Sequence, residues 1–141
     1  MTAAKSRLQL GSSLVESMVA IVILSFGILG LARFQAGMLA QATDSQSRLV
    51  ATALAEELLS LVRIDIKNAP CYAIPVAGHC ASPVAAALAT AWTVKAADAL
   101  PRFTTYGATM PDAKTFQVVL KWKSKAFKED RILQVSTDAR Y

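Results

Sequence analysis

The sequence predicts an α+β fold. It comprises one long N-terminal helix, membrane-like in its first half and amphipathic in its second, packed on a small antiparallel β-sheet with a short second helix. Three observations predict it. No proline occurs between Met1 and Ala69, and a helical pattern runs unbroken through most of that stretch. A loop punctuated by prolines and bracketed by two cysteines follows. The C-terminal part then carries runs that alternate apolar and polar residues with period two.

The 141 residues suit a single domain, and their net charge is +5. Residues 1–11 (MTAAKSRLQLG) are short, basic and end in glycine, and they read as a leader outside the fold. From Leu14 to Ala32 the chain is LVESMVAIVILSFGILGLA, 19 residues whose single charge is Glu16. A bilayer core needs about 20 apolar residues in helical form. Lys5 and Arg7 precede this run, and no Asp or Glu does so. That asymmetry places the N-terminus in the cytoplasm and the remainder outside. An ordinary signal peptide has a similar layout. Its apolar core is shorter, however, and no small-x-small cleavage site with a polar stretch follows here. The nearest candidate, Ala40-Gln41-Ala42, lies well past the apolar run.

The helix continues to about Arg63. Leu39, Val50, Ala53, Leu54, Leu58, Leu61 and Val62 fall on one face by steps of three and four, with Gln46, Arg48, Glu56 and Arg63 largely elsewhere. Gly27 and Gly30 interrupt the middle, each weakening the helix by about 1 kcal/mol relative to alanine, although glycine is common in membrane helices. Residues 64–83 read as a loop with Pro70, Pro75, Gly78 and Pro83. Cys71 and Cys80 either pair or remain free thiols, and an oxidising compartment outside the inner membrane favours a disulfide. Ser82 as N-cap and Pro83 at the first position open a second helix, in which Val84, Leu88 and Trp92 recur every four residues before Pro101 ends it. Residues 115–123 (TFQVVLKWK) alternate Phe116, Val118, Leu120 and Trp122 with Gln117, Val119, Lys121 and Lys123. Residues 131–137 make a second strand with Leu133 and Val135 facing inward, joined to the first by a hairpin at 124–130. Residues 102–107 make a third, and short connections favour an antiparallel meander.

The constellation Gly11-Ser12-Ser13-Leu14-Val15-Glu16 ahead of the apolar run resembles the leader junction of type IV pilins and type II secretion pseudopilins. The resemblance implies cleavage by a prepilin peptidase between Gly11 and Ser12, N-terminal methylation of Ser12, and a role for Glu16 in subunit register. Family members usually carry Phe or Met where this chain has Ser12. Ile23-Leu24, Gly27, Leu29-Gly30-Leu31-Ala32 and Gln35 are similar to the helix of the minor pilins called pilus modification protein PilV. The likeness is strong over residues 8–63 and weak over the head.

The resemblance divides the chain into a cleavable leader (1–11), a transmembrane and filament-core helix (12–35) and a pilin-like periplasmic head (36–141). It implies a non-enzymatic minor pilin of the type IV pilus that supports assembly, adhesion and twitching motility. The implied partners are the prepilin peptidase, other major and minor pilins, the inner-membrane assembly platform and inner-membrane lipid. Glu16 has a physical reason as well. A carboxylate in a membrane span needs a partner, and cleavage after Gly11 would create an α-amino group that a neighbouring subunit's Glu16 can pair with. Two rivals remain: a type II secretion pseudopilin, and a periplasmic module tethered by an uncleaved signal anchor.

Other signals carry less. His79 lies between the cysteines, but three ligands at that spacing do not match a zinc pattern. Lys121, Lys123, Lys125, Lys128 and Arg131 form a basic cluster that could meet nucleic acid, anionic lipid or an acidic subunit, with Trp122 and Phe127 nearby to stack on bases. A solvated edge hairpin accounts for it better. Trp92 and Trp122 read as core. No nucleophile elbow, phosphate loop or metal-ligand series occurs, so neither an enzyme nor a cofactor is expected.

Overall fold

The computed structural model describes residues 12–75, 80–112, 114–124, 127 and 129–139. The chain divides into two compact units, Met1–Leu39 and Ala40–Tyr141. Helix α1 spans Ser12–Ile64, close to the extent that the proline-free pattern predicts. Arg63 in its last turn complements the negative end of the helix dipole.

In the first unit the described residues are helix alone, and the apolar side chains from Leu14 to Leu39 are exposed. In the second unit, α1 buries Ala51, Leu54, Ala55, Leu58, Leu59 and Val62, with Val50 and Leu61 packed against them. This differs in part from the predicted face. Leu39 and Ala53 are exposed, while Ala51, Ala55 and Leu59 are core. Two separate elements cover this stretch of helix, so the buried sector is wider than one stripe.

After α1 the chain makes a 3-10 helix, Ile66–Tyr72, within the segment expected to be loop. Its Ala69, Cys71 and Tyr72 are buried. Cys71 and Cys80 form the expected disulfide, with their Cα atoms 4.8 Å apart. Helix α2 spans Pro83–Ala99. The Ser82 side chain accepts a hydrogen bond from the Ala85 N–H, and Pro83 opens the helix, as predicted. Of the residues that recur every four positions, Trp92 is buried together with Ala85, Ala89 and Ala96, whereas Val84 is 68% and Leu88 41% exposed. The backbone of α2 comes close to the 3-10 segment, to which the disulfide ties its leading residues. Such proximity suits alanine at the contact and turns Val84 and Leu88 outward. Trp92 makes the link to α1, where its indole N–H donates to the Leu54 carbonyl at 2.8 Å. The exposed pair Lys95–Glu57, at 2.7 Å, lies beside it.

Three strands follow: β1 (Phe103–Asp112), β2 (Thr115–Lys123) and β3 (Asp130–Asp138). They form an antiparallel meander in the order β1-β2-β3. β1 runs five residues further than predicted, to Asp112. Its register shifts between Thr109 and Asp112, and such an irregularity on an edge strand accommodates Pro111. β2 alternates as its sequence requires, with Phe116, Val118, Leu120 and Trp122 all buried in the cluster that holds the α1 core residues. On β3, Leu133 and Val135 pack against that cluster, as expected.

Candidate functional site: the bare apolar helix and an ion network

The first candidate region is the apolar stretch of α1. Its large side chains are uncovered on every side of the helix: Leu14, Val15, Met18, Ile23 and Phe26 are all more than half exposed. A helix apolar around its whole circumference is soluble only when lipid or other helices surround it. Among the described residues this is the one helix long and apolar enough to cross a membrane. Its polar interruptions are few. Ser25 donates its hydroxyl to the Ile21 carbonyl at 2.7 Å, so that group is satisfied within the helix. Glu16 is exposed on the first part of α1. A Cβ added at Gly27 or Gly30 would meet nothing within 4 Å, so packing within the chain does not demand glycine at either position.

Of the predicted site residues, Gly11 lies outside the described residues. Ser12 is the first residue of α1. His79, Lys125 and Lys128 also lie outside the described residues. Both sulfurs, Cys71 and Cys80, are joined in the disulfide and are not free thiols.

The second candidate is an ion network that sequence reasoning missed. Asp44 is 7% exposed, although it lies on a stretch of α1 with polar neighbours. One carboxylate oxygen accepts from Arg48 Nε at 3.2 Å and the other from Arg131 Nε at 3.3 Å. The Ser124 hydroxyl, the Arg131 guanidinium and Arg48 hold this carboxyl below the ordinary aspartate range, in that order of hydrogen-bond importance, against the opposing effect of burial. Ser124 also accepts from the Phe127 N–H at 3.3 Å, and the Arg131 guanidinium lies 5.7 Å from the centre of the Phe127 ring. The network therefore ties the β2–β3 turn to α1. At the other end of β3, Arg63 Nε donates to Thr137 Oγ1 at 2.8 Å. Arg131 meets Asp44 and Thr137 meets Arg63, so β3 runs alongside α1 in the same direction.

This geometry splits the basic cluster read from the sequence. Alternation along β3 puts Arg131 on the same face as Leu133, where Asp44 and Glu129 neutralise it. Lys123 remains exposed, 4.0 Å from Asp130. A sequence signal for Asp44 did exist: it stands seven residues before the buried Ala51, two helical turns along the same face.

No family model matches the chain, and no curated protein or solved structure matches it either.

Proposed function

We propose that the chain is a minor type IV pilin, a non-enzymatic subunit anchored in the inner membrane by α1, with its head on the periplasmic side. The prepilin peptidase would cleave it between Gly11 and Ser12, and the mature chain would join or prime the pilus. The observation that carries the proposal is the bare helix from Leu14 to Phe34 with Glu16 as its single early charge. Such a surface is suited first to lipid and then to the apolar helices of neighbouring subunits, whose close packing the small residues Gly27 and Gly30 would permit. Glu16 gives that packing an axial register, because a carboxylate among apolar helices is strongly favoured opposite a new N-terminal amine. The folded second unit, with its disulfide, supports the reading of an extracytoplasmic head.

The test is the N-terminus of the membrane-extracted protein, determined by intact mass and sequencing with and without the prepilin peptidase. A peptidase-dependent start at Ser12 bearing one added methyl is expected. A start at Met1 in both samples would favour an uncleaved signal anchor. A start near Thr43 would mark an ordinary secreted protein and defeat the pilin proposal.

A further inference from the structure

The two outer edges of the sheet are treated differently. β1 carries two register irregularities and Pro111, and its outer edge is bridged by Ile74, whose backbone exchanges hydrogen bonds of 2.7 and 3.1 Å with Ala108. These are the devices that keep an edge strand from recruiting another chain. β3 has none of them. It pairs with β2 without a register shift from Asp130 to Asp138, holds no proline, carries one inward-facing charge, Arg131, which Asp44 neutralises, and has no strand on its other side among the described residues.

A groove of about 510 Å³ lies along this open edge, between β3 and α1. One wall is made by the consecutive residues Asp130–Leu133. Neighbouring strand residues point to opposite faces, so four in a row line a groove only where the strand presents its edge. The other walls hold Arg48, Thr52 and the Trp122 ring. Two donor groups there lack a protein acceptor among the described residues. The Trp122 indole N–H is buried without a hydrogen-bond partner among the described residues. Arg48 touches Asp44 through Nε, and its side chain is 57% exposed, which leaves its terminal nitrogens for another anion.

We propose that this groove binds an extended peptide segment of another protein, which adds to β3 as a fourth strand and places a free carboxylate against Arg48. Backbone hydrogen bonds along β3 would supply sequence-tolerant affinity, alternate apolar peptide residues would lie on the inner face beside Leu133, and the guanidinium would read the chain end.

The test uses the full chain in detergent micelles and two pools of heptapeptides that alternate Val, Ile or Leu with Ser or Thr. One pool ends in a free carboxylate and the other in an amide. Amide hydrogen exchange is followed by mass spectrometry. The carboxylate pool at 1 mM is expected to slow exchange within 130–135 by about ten-fold or more, and N-methylation of alternate peptide residues is expected to abolish this, as strand addition requires. Arg48→Gln should weaken the carboxylate pool about ten-fold and leave the amide pool unaffected. The methylated peptides leave the protein unaltered, so their result does not depend on how the variant folds. Unchanged β3 exchange with both pools overturns the proposal. So does protection that rises with protein concentration alone, which would mean that β3 pairs with a second copy of the chain.

Discussion

Truncating Asp44 removes the anchor of three interactions at once, and its effect can be worked from their exposure. The Arg48 arm is largely solvated, with Arg48 57% exposed, and an exposed i,i+4 pair contributes about 0.3–0.5 kcal/mol. The Arg131 arm is different. Arg131 is 23% exposed, and without Asp44 it keeps Glu129, itself 68% exposed, at 3.4 Å and the face of the Phe127 ring. Ser124, 1% exposed, loses the acceptor of its hydroxyl. Breaking a fully buried pair costs about 3–5 kcal/mol, and an orphaned buried hydroxyl about 1–3 kcal/mol. Partial solvation of Arg131 lowers the first figure, so Asp44→Ala should destabilise the second unit by about 2–4 kcal/mol. Asp44→Asn keeps an acceptor for Ser124 and should cost roughly half as much.

The assay is urea unfolding of the full chain in micelles, followed by the fluorescence of Trp92 and Trp122, with an unchanged m-value as the control for an unchanged transition. A loss below about 0.5 kcal/mol in Asp44→Ala would refute the claim that this network holds the β2–β3 turn to α1. The sign with pH follows from the lowered folded pKa of Asp44. Its contribution is fully present above the unfolded carboxylate value of about 3.9 and is lost as pH falls through the lower folded value. Asp112, held down by the Lys114 backbone N–H, shifts in the same direction. It is present in both proteins, so the difference between wild type and Asp44→Asn isolates the Asp44 contribution.

Three further outcomes are expected. Reducing the Cys71–Cys80 disulfide, or replacing both cysteines with serine, should lower the urea-unfolding free energy by about 2–3 kcal/mol, because the bridge closes a short loop of the unfolded chain. Ala89→Leu should destabilise by about 1–3 kcal/mol through overpacking, whereas Leu88→Ala should change stability by less than about 1 kcal/mol since Leu88 is 41% exposed; the reverse ranking in thermal unfolding would mean that the buried face of α2 is misassigned. For the proposed pilin, Glu16→Ala should leave the far-ultraviolet circular dichroism and the disulfide unchanged but remove the protein from sheared pilus fractions on immunoblots, and normal recovery would count against the proposed role of Glu16 in register.

Much of the fold was legible because it depends on local signals. The proline-free run gave α1 nearly its full length. Ser82 and Pro83 marked the start of α2. The alternation of Phe116, Val118, Leu120 and Trp122 gave β2 its ends and its buried face. The 3-10 helix at Ile66–Tyr72 was hidden behind Pro70, which reads locally as a loop residue yet is accommodated within this short helix. The buried face of α2 was not legible, because its large residues Val84 and Leu88 stay exposed and only the nearness of the 3-10 segment turns the alanines inward. The candidate membrane segment needed no tertiary information, since an apolar run containing one charge is a property of composition and order.

The sequence by itself determined a long helix with a membrane-compatible first half, a cysteine-bracketed connection and an alternating sheet, because period, caps and breakers act over a few residues. Only the tertiary structure decided that Asp44, Ser124 and Arg131 meet, that Trp92 reaches the Leu54 carbonyl, and that one edge of the sheet is shielded while the other stays open. Asp44 and Arg131 are separated by 87 positions in the chain, and no local pattern encodes a pairing at that distance. It arises when β3 settles alongside α1 and burial leaves each charge with the other as its best remaining partner.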